Sequence, residues 1–544
     1  MLGLMQDWPL LVHKILDHAA LNHGDREVVT RSVEGPIRRT NYRAIHSRAR
    51  RIAKALEKAG VGFGDRVATL AWNTDRHLEA WYGITGLGAV YHTLNPRLFP
   101  DQLVYIANHA EDRVLFFDIT FAKLVEQLAP KMPSIRLYVA MTDRAHLPSE
   151  KIPNLVAYEE FIAGIDDDFA WAEFDENTAC GLCYTSGTTG NPKGVLYSHR
   201  SNVIHAMIAG QTDAMGVGND DTILPVVPMF HANAWALAFT APMIGAKLVM
   251  PGAKLDGPSV YELLDTEKVT MTAAVPTVWL MLLQDLEKTG KMLPHLKRVL
   301  IGGSACPPSM IEIFEKKYDV DVTHAWGMTE MSPLGTLGSL KTQLKSLPFE
   351  DRLAVKTKQG HTPFGVEMKI VDDGDRELPH DGKAFGRLKV RGPAVAQAYF
   401  KGEGQGAFDK DGWFDTGDVA TIDADGYMTI TDRAKDVIKS GGEWISSIEI
   451  ENIAVGHASV AEAAVIGVRH PKWDERPLLI VVAKPGAHPT KDEMLKYLEG
   501  KIAKWWMPDD VVFVDEIPHT ATGKIQKLAL REKFGNHRLP TAAE

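Results

Sequence analysis

The sequence predicts an α/β protein with a large N-terminal domain of wound, mostly parallel sheets, a small β-rich subdomain and a C-terminal α+β domain. Three observations predict this class. Helical and strand-like periods alternate in two stretches of the chain, short alternating runs between Asp/Gly turns follow, and the last part of the chain mixes both periods. Alternating helices and strands are typical of parallel sheets that are covered by helices.

The first alternating stretch covers residues 42–117. Apolar and aromatic side chains recur at helical spacing from Tyr42 to Leu56, and Gly60 is a suitable residue for the end of that helix. The alternation then continues through a strand at 67–71, a helix near 78–85, a strand at 89–93, a helix near 103–107 and a strand at 114–117. This pattern predicts one wound layer.

The second alternating stretch lies between residues 260 and 323 and predicts another wound layer. Its elements are, in order, helix 260–264, strand 269–273, helix 278–283, strand 299–301, helix 310–314 and strand 320–323. Residues 365–430 change to short alternating runs, which indicates the β-rich subdomain. Beyond residue 436 we predict strands at 463–468 and 479–483 and a helix at 492–505.

The charge balance excludes some classes of partner. The 544 residues carry 60 Lys and Arg against 70 Asp and Glu, a formal net charge of −10. This argues against broad binding to nucleic acid or anionic membranes, which needs a positive surface. Asp7, Lys14 and Asp17 interrupt the N-terminal segment, which therefore lacks the continuous apolar stretch of a secretory signal. The apolar run 234–246 is shorter than the about 20 residues that span a membrane. We expect a cytoplasmic protein without a membrane span.

Cysteine is rare, with Cys180, Cys183 and Cys306 as the three residues of this type. So few thiols fit a reducing compartment. Cys180 and Cys183 form a CxxC pair, a pattern known from redox and zinc sites, but no second CxxC or nearby His completes a tetrahedral site. The pair also lies in a predicted strand, where residues three apart point to opposite faces. We favour a structural role for both.

The strongest local motif is Tyr184-Thr-Ser-Gly-Thr-Thr-Gly-Asn-Pro-Lys-Gly194, which follows the apolar run 180–183 and precedes a helix predicted to begin near Asn202. A Gly-rich loop after a strand presents backbone N–H groups to phosphate oxygens, and its hydroxyls and Lys193 add donors. The motif is not a GxxxxGK[ST] P-loop, because Gly194 follows Lys193 and the spacing differs. It predicts a phosphate-binding loop rather than a simple surface turn.

This loop resembles the signature of the adenylate-forming superfamily, which contains acyl-CoA synthetases, luciferases and peptide-synthetase adenylation domains. The resemblance covers nearly the whole chain and continues through four segments in the family's order. They are Ala325-Trp-Gly-Met-Thr-Glu330, Asp411-Gly-Trp-Phe-Asp-Thr-Gly-Asp418, Asp432-Arg-Ala-Lys-Asp436 with Ser440-Gly-Gly442, and Thr522-Gly-Lys524. Within the superfamily the chain resembles medium- and long-chain fatty-acid CoA ligases, and in particular 3-methylmercaptopropionate CoA ligases.

The resemblance implies a set of contacts to ATP and AMP. They are Thr185, Ser186, Gly187, Thr188, Thr189, Gly190, Lys193, Gly302, Gly303, Ser304, Ala305, Trp326, Gly327, Met328, Thr329, Asp418 and Arg433. In this scheme Trp326 stacks on adenine, and the segment 302–305 lines both the adenine and the acyl sites. Asp418 accepts hydrogen bonds from the ribose hydroxyls, and Arg433 donates to the ribose or to a phosphate. Thr185 and Glu330 hold Mg²⁺, a hard cation that prefers oxygen ligands.

The resemblance also implies residues for catalysis and for the other two substrates. Lys524 is expected to stabilise the charge that builds up in the adenylation step, and His231 and Lys439 are the other expected catalytic residues. The implied CoA contacts are Gly441, Gly442, Glu443, Trp444 and Glu475, although Glu475 is equally well explained as a solvated loop acid. His231 and Trp235 are expected to line the acyl pocket, where they would share one face if the segment were helical, and core packing is the rival role for Trp235.

The implied activity is that of an AMP-forming acid–CoA ligase with two half-reactions. A carboxylate attacks the α-phosphorus of ATP, pyrophosphate leaves, and the acyl-adenylate is then attacked by the thiol of CoA. The domain at 1–434 is expected to bind ATP and the acid. The smaller domain at 435–544 is expected to rotate between the half-reactions about a hinge near 432–436, with its pivot at Lys435.

Two alternatives stay open at this point. A luciferase-like enzyme would form the acyl-adenylate but use an acceptor other than CoA, and a non-catalytic protein could share the fold, although the intact motifs argue against it. We expect a short- or medium-chain fatty acid or 3-methylmercaptopropionate as substrate, and a homodimer. One methylene in an apolar pocket changes binding by only ~1–3 kcal/mol, so the motifs alone do not identify the acid.

Overall fold

A computed structural model describes residues 1, 3–185, 191–441, 443–519 and 525–543 of the chain. Two compact units are present. The first joins Met1–Glu367 to Arg391–Phe408, and the second joins Met368–Val390 to Asp409–Glu544. Most of the β-rich segment, which we assigned to the domain at 1–434, therefore groups with the C-terminal residues. The hinge near 432–436 concerns motion and stays a prediction.

The first unit contains, within the described residues, an eight-stranded sheet whose inner pairs are parallel and whose two outermost pairs are antiparallel. Most strands are buried on both faces, which explains their continuous Val, Ile and Leu runs. In spatial order the strands are Leu334–Leu337, Asp321–Gly327, Arg298–Gly302, Met271–Ala274, Thr222–Pro225, Lys247–Met250, Glu27–Arg31 and Ile37–Asn41.

A second sheet of the first unit has seven described strands, parallel except for the last pair. In spatial order they are Leu155–Ala157, Leu137–Ala140, Val114–Phe117, Arg66–Leu70, Val90–Thr93, Ala179–Tyr184 and Gly194–Ser198. The two wound layers that the sequence predicts are thereby confirmed, and the α/β class with them.

Some helices of the first unit begin at a residue whose side chain caps them. Asn41 Oδ1 accepts a hydrogen bond from Ala44 N at 2.9 Å, and Thr74 caps the next helix in the same way. The helices are Val12–Asn22, Tyr42–Lys58, Asp75–Gly86, Pro100–Ala110, Ala122–Leu128, Tyr158–Phe161, His199–Gly210, Leu237–Ile244, Gly257–Thr266, Pro276–Thr289, Pro308–Glu312 and Phe349–Lys356. No helix in the described part of the chain is long and apolar enough to cross a membrane.

The second unit contains two sheets within its described residues. The smaller sheet, which confirms the predicted β-rich element, consists of Glu367–Val371, Phe385–Arg391, Phe414–Ile422 and Met428–Arg433. The larger sheet consists of Glu443–Ile445, Ile438–Ser440, Asp474–Ala483 and Val460–His470, with Asp510–Phe513 added in parallel to Asp474–Ala483. Its helices are Ser447–Val455, Lys491–Leu498 and Lys527–Phe534.

Both faces of the larger sheet carry a core, because alternate residues of a strand point to opposite sides. Val465 and Leu479 pack on one face with residues of Ser447–Val455 and Lys491–Leu498. Ile466 packs on the other face with residues of Lys527–Phe534. The long central hairpin of this sheet is therefore enclosed by helices of its own unit.

One predicted helix of this unit is too long. The helix expected at 492–505 runs over Lys491–Leu498, and a separate 3₁₀ turn follows at Lys504–Trp506. Gly500 adopts φ +76° between them, a conformation that interrupts a right-handed helix. The apolar spacing of residues 491–506 predicted one element because it does not reveal this backbone reversal.

Candidate active site

The Gly-rich loop connects two antiparallel strands. Tyr184, at the end of Ala179–Tyr184, pairs with Gly194, at the start of Gly194–Ser198. Thr185 N donates to Lys193 O at 2.9 Å, and Lys193 N donates to Thr185 Oγ1 at 3.2 Å, so these residues close the base of the loop. We expected a helix to begin near Asn202, whereas a β-strand follows the loop and the helix begins at His199. The run Val195-Leu-Tyr197 is a strand because it pairs antiparallel with residues of Ala179–Tyr184.

Two tyrosines link this hairpin to the segment Ala325–Glu330. Tyr197 Oη donates to Thr329 O at 2.7 Å. Tyr399 Oη donates to Glu330 Oε1 at 2.6 Å, and Lys193 Nζ lies 5.2 Å from the centre of the Tyr399 ring. Thr329 and Glu330 are both buried. The structure thus brings Thr185, Lys193, Thr329 and Glu330, which are distant in sequence, into one neighbourhood.

Tyr399 is a residue of this neighbourhood that the sequence did not indicate. Burial and the adjacent Glu330 carboxylate raise the pKa of its hydroxyl above the ordinary value, so the group stays protonated and donates. Its contact with Glu330 joins residues 69 positions apart. No periodicity or local motif predicts a contact at that separation, and the aromatic pair Tyr399-Phe400 was the one signal near it.

Two parallel strands bring the remaining predicted contacts of the first unit to one sheet edge. Gly302, at the end of Arg298–Gly302, pairs with Ala325 on Asp321–Gly327. Gly303, with φ +81°, begins the exposed segment 303–305 after that strand. Ligands of α/β sheets bind beyond the carboxyl ends of strands, so this edge is a suitable place for a nucleotide.

The ring of Trp326 packs closely against the backbone of Gly335 at this edge. A methyl group on Gly335 would lie 2.4 Å from Trp326 Cζ3, so only glycine leaves room for the ring there. Gly327 is similarly enclosed, because a side chain at this position would meet Pro333 O, and Met328 N donates to Pro333 O at 3.0 Å. The bend after Trp326 is therefore fixed by close backbone contacts.

The acyl-pocket residues are arranged differently from our expectation. Residues 232–236 all have positive φ, from +45° at Ala232 to +70° at Ala236, and the right-handed helix begins only at Leu237. The segment is therefore not a right-handed helix, and the condition under which His231 and Trp235 would share one face is not met. The i, i+4 spacing places two residues on one face only in a right-handed helical backbone. Trp235 is nevertheless directed at the strand edge, since a methyl group on Gly302 would lie 3.1 Å from its Cη2 atom.

The CxxC cysteines lie in the strand Ala179–Tyr184, as predicted. Cys180, Cys183 and Cys306 are free and buried. Burial raises the pKa of the Cys180 and Cys183 thiols, which opposes formation of the reactive thiolate. Among the described residues, no group of three or more His, Cys, Asp or Glu side chains is arranged to hold a metal ion.

In the second unit Asp418, the predicted ribose contact, meets Arg433, which we predicted to contact the ribose or a phosphate. Asp418 on Phe414–Ile422 stands opposite Arg433 on Met428–Arg433. Arg433 Nε lies 2.8 Å from Asp418 Oδ1, with the Asp418 carboxylate almost fully buried and the Arg433 side chain 39% exposed. Such a pair fixes a carboxylate while leaving part of the guanidinium accessible.

The predicted CoA residues of the second unit also lie together. Lys439 N donates to Glu475 Oε2 at 3.0 Å, and Lys439 Nζ lies 5.5 Å from the centre of the Trp444 ring. Gly441 adopts φ +61° and its N–H donates to Trp473 O at 2.8 Å. Glu443 begins the strand Glu443–Ile445 that pairs with Ile438–Ser440.

Several predicted site residues lie outside the described residues. They are Ser186, Gly187, Thr188, Thr189 and Gly190 of the Gly-rich loop, Gly442, and Lys524. Their roles, like those of the other site residues, stay predictions.

Comparison with known protein families adds two matches. A family described as AMP-binding enzyme matches residues 16–400, and a family described as AMP-binding enzyme C-terminal domain matches residues 449–524. The first match alone covers well over half of the chain. Together they include the Gly-rich loop, the segment Ala325–Glu330 and Lys524.

Individual relatives are similar over almost their whole length. A 3-methylmercaptopropionyl-CoA ligase of Ruegeria lacuscaerulensis is 53% identical over 98% of this chain and 99% of its own. A medium-chain-fatty-acid–CoA ligase of Ectopseudomonas oleovorans is 49% identical over 98% of both chains. The crystal structure of the anthranilate CoA ligase AuaEII in complex with anthranoyl-AMP superposes with a TM-score of 0.83 at 25% identity, over 97% of this chain and 99% of that one.

Proposed function

Because the chain belongs to the family of AMP-binding enzymes and is an ATP-dependent acid–CoA ligase, we propose that its acid is a short- or medium-chain fatty acid or 3-methylmercaptopropionate. The observation that carries this proposal is the 53% identity over 98% of the chain to a ligase named for 3-methylmercaptopropionate. The position of Trp235 against Gly302 supports it, because a large ring at the strand edge limits the room for an acyl chain.

The reaction proceeds through an acyl-adenylate. A carboxylate oxygen of the acid forms a bond to the α-phosphorus of ATP, and pyrophosphate leaves. The thiol of CoA then attacks the acyl carbon, loses its proton, and AMP leaves. No covalent intermediate with the enzyme is needed, so positioning and electrostatic stabilisation carry the catalysis.

Mg²⁺ is proposed to bind at Glu330 and Thr185. The donor set fits, because a carboxylate and a hydroxyl are hard oxygen ligands and Mg²⁺ keeps waters and substrate phosphates in its shell. Tyr399 fixes one oxygen of Glu330, which orients the carboxylate. When bound, the ion would neutralise charge on the ATP phosphates. Lys193, held over the Tyr399 ring, is proposed to donate to the same phosphates.

The second unit is proposed to supply the residues that change between the half-reactions. Asp418 would hold the ribose, Arg433 would donate to the ribose or to a phosphate, and Lys524 would stabilise the adenylation transition state. Lys439, Gly441, Gly442, Glu443, Trp444 and Glu475 would receive CoA. The contact of Lys439 N with Glu475 Oε2 supports a shared role, because it joins the two segments of this set.

A panel of acids tests the substrate assignment. Butyrate, hexanoate, octanoate, palmitate, benzoate and 3-methylmercaptopropionate are each incubated with ATP and Mg²⁺, with and without CoA, while pyrophosphate, AMP and free thiol are measured. We expect the highest kcat/KM for 3-methylmercaptopropionate or a linear acid of up to about eight carbons, since each methylene changes binding only modestly. A clear preference for palmitate or benzoate would reject the proposed acid class.

Three further expectations belong to this proposal. A luciferase-like acceptor is disfavoured by the relatives, which are CoA ligases. The arm with CoA tests it, because an enzyme with another acceptor would release pyrophosphate there without consuming thiol. A homodimer would give a light-scattering mass of about twice the 60.0 kDa of one chain. The three free cysteines support a cytoplasmic location, which cell fractionation would test.

A further inference from the structure

The turn that carries Trp235 has an unusual backbone. Ala232, Asn233, Ala234, Trp235 and Ala236 have φ of +45°, +58°, +49°, +53° and +70°. Each of these residues has a Cβ atom, which makes the left-handed region sterically unfavourable, and such residues normally occur singly. Five in succession persist only where the surrounding structure holds them.

A closed ring of three side chains holds this turn. Tyr91 Oη donates to Asn233 Oδ1 at 3.0 Å, Asn233 Nδ2 donates to Asn202 Oδ1 at 3.5 Å, and Asn202 Nδ2 donates to Tyr91 Oη at 3.0 Å. Each member donates to the next and accepts from the previous one, and all three are at most 1% exposed. Hydrogen bonds that are connected donor to acceptor polarise one another, and this strengthens each hydrogen bond of a buried ring.

The other two ring members are themselves fixed in the core. The Tyr91 ring stacks on Trp81 with centroids 4.4 Å apart and planes 11° apart. Asn202 lies on the helix His199–Gly210, and its Nδ2 is also 3.2 Å from Cys180 Sγ. The ring therefore ties the turn to a strand and a helix that have well-defined positions.

Trp235 follows the ring member Asn233 by two residues and lies at the strand edge. Its Cη2 atom would lie 3.1 Å from a methyl group on Gly302. We propose that Tyr91, Asn202 and Asn233 are positioning residues that hold the left-handed turn, set Trp235 against Gly302 and thereby determine the chain-length preference of the ligase. The proposal rests on the proposed role of Trp235 in the acyl pocket.

The first experiment replaces one hydroxyl of the ring. Tyr91→Phe removes the donor to Asn233 and the acceptor of Asn202 without changing the stacked ring. Loosening Trp235 should admit longer acids, so the kcat/KM ratio of octanoate over butyrate should rise by about fivefold or more, a change typical of a small alteration in an apolar pocket. The KM for ATP should change by less than about twofold, because none of the three ring members is among the predicted nucleotide contacts.

Tyr82→Phe is the matched control. Tyr82 is also fully buried, and its hydroxyl donates to Ala238 O at 3.1 Å, outside the left-handed turn. This variant loses a buried hydrogen bond of the same kind and should keep the selectivity of the parent enzyme. An equal change of selectivity in both tyrosine variants would overturn the proposal, because it would indicate general loosening of the core.

A double-mutant cycle decides whether the ring acts through Trp235. In the Trp235→Ala background, Tyr91→Phe should change selectivity no further, whereas additive effects would overturn the proposal. If Trp235→Ala by itself keeps the parent selectivity, the acyl-pocket assignment fails. If Trp235→Ala changes it and Tyr91→Phe does not, only the role of the ring is rejected.

A second ring variant protects the test against misfolding. Asn233→Gly deletes a ring member but suits the left-handed backbone, so the turn should still fold. It should reproduce the selectivity change of Tyr91→Phe. Parent selectivity in a folded Asn233→Gly enzyme would contradict the proposal.

Discussion

Tyr399 contacts two residues with different predicted partners, the metal for Glu330 and the phosphates for Lys193. A hydroxyl that fixes one oxygen of a metal-binding carboxylate reduces the orientations available to that carboxylate. The effect of removing it should therefore be seen in the Mg²⁺ requirement before it is seen in the acid preference.

We predict that Tyr399→Phe raises the Mg²⁺ concentration needed for half-maximal adenylation by about 10-fold, the lower end of the range for lost partners of metal ligands. The measurement is pyrophosphate release at fixed ATP over a range of Mg²⁺, together with Mn²⁺ binding followed by electron paramagnetic resonance. Tyr42→Phe is the control, since Tyr42 Oη donates to Ala246 O at 2.6 Å in the same unit but away from Glu330. An unchanged Mg²⁺ requirement in the Tyr399 variant would contradict its role.

Lys524 gives the second prediction at this scale. Lys524→Ala should slow acyl-adenylate formation by ~10²–10³, the usual effect of losing one well-placed donor to a transition state. Thioester formation from added acyl-adenylate should be largely retained, because its charge develops at a different place. Similar losses in both half-reactions would mean misfolding or a role in CoA binding. Rapid-quench measurement of each half-reaction distinguishes these results.

The proximity of two distant residues was predictable where each belongs to a contiguous motif. Thr185 and Glu330 each lie in a motif of neighbouring residues, and the structure brings both motifs together through Lys193 and Tyr399, while the roles of both residues stay predictions. Tyr399 and Asn233 were not predictable, because their contacts join distant parts of the chain and depend on backbone angles. Asn233 in particular lies in a segment whose left-handed φ no propensity favours.

The helix Lys527–Phe534 is anchored to its unit by a buried charge. Lys527 Nζ lies 2.8 Å from Glu451 Oε1 and also donates to Ser447 Oγ. Ser447 N in turn donates to Asp432 Oδ2 at 2.6 Å. Lys527 therefore lies near two buried carboxylates, Glu451 directly and Asp432 through Ser447. Its removal would leave both carboxylates without this positive charge.

We predict that Lys527→Met destabilises the second unit by ~3–5 kcal/mol, because breaking a buried ion pair leaves an uncompensated charge. Hydrogen exchange in Ser447–Val455 should become faster, and the denaturant midpoint of the unit should fall. Lys533→Met, on the exposed side of the same helix, should change stability by less than about 0.5 kcal/mol. Adding Glu451→Gln to Lys527→Met should recover part of the lost stability. A double variant that is less stable than Lys527→Met alone would contradict the argument.

Elements were predicted well where periodicity is strong and ends at a recognisable residue. The helix Tyr42–Lys58 and the strand Val114–Phe117 agree with the expected ranges to within two residues. The hairpin strand Gly194–Ser198 was missed, because its partner Ala179–Tyr184 is required to reveal it. Local sequence specifies a period but not the pairing that turns a short run into a strand.

The order of strands in the large sheets is a property of the whole molecule and was not predictable. Val28 pairs with Leu248, so the first strand of the chain lies beside one that follows much later. Likewise, the grouping of Met368–Val390 with Asp409–Glu544 depends on contacts rather than on continuity of the chain. Two wound layers were predictable, and their composition was not.

A whole-molecule prediction concerns motion between half-reactions. Asp436 N and Val437 N both donate to Arg433 O at 2.8 Å, so Lys435 lies within a tight turn. Proline fixes φ near roughly −65° and removes a donor. We predict that Lys435→Pro releases pyrophosphate in a single turnover but forms little acyl-CoA, so that acyl-adenylate accumulates on the enzyme.

Lys435→Ala is the control for this variant, because alanine removes the charge and leaves φ free. It should form acyl-CoA at a rate near that of the parent enzyme. Rapid-quench analysis of both products measures the two half-reactions. A proline variant that makes acyl-CoA normally would reject the hinge, and an alanine variant that fails like the proline variant would assign the effect to the lost charge.

The left-handed turn also sets the pattern of tolerated substitutions in any library built around the acyl pocket. Glycine normally weakens a helix by about 1 kcal/mol, but at Ala232, Ala234 and Ala236 it should be accepted or even stabilising, because it has no Cβ to clash. Valine and isoleucine should be the least tolerated there. In the adjoining helix Leu237–Ile244 the order should reverse. A saturation scan scored by soluble expression should therefore change sign for glycine between Ala236 and Leu237, and libraries intended to widen the acid range should spare the five positions 232–236 from β-branched residues.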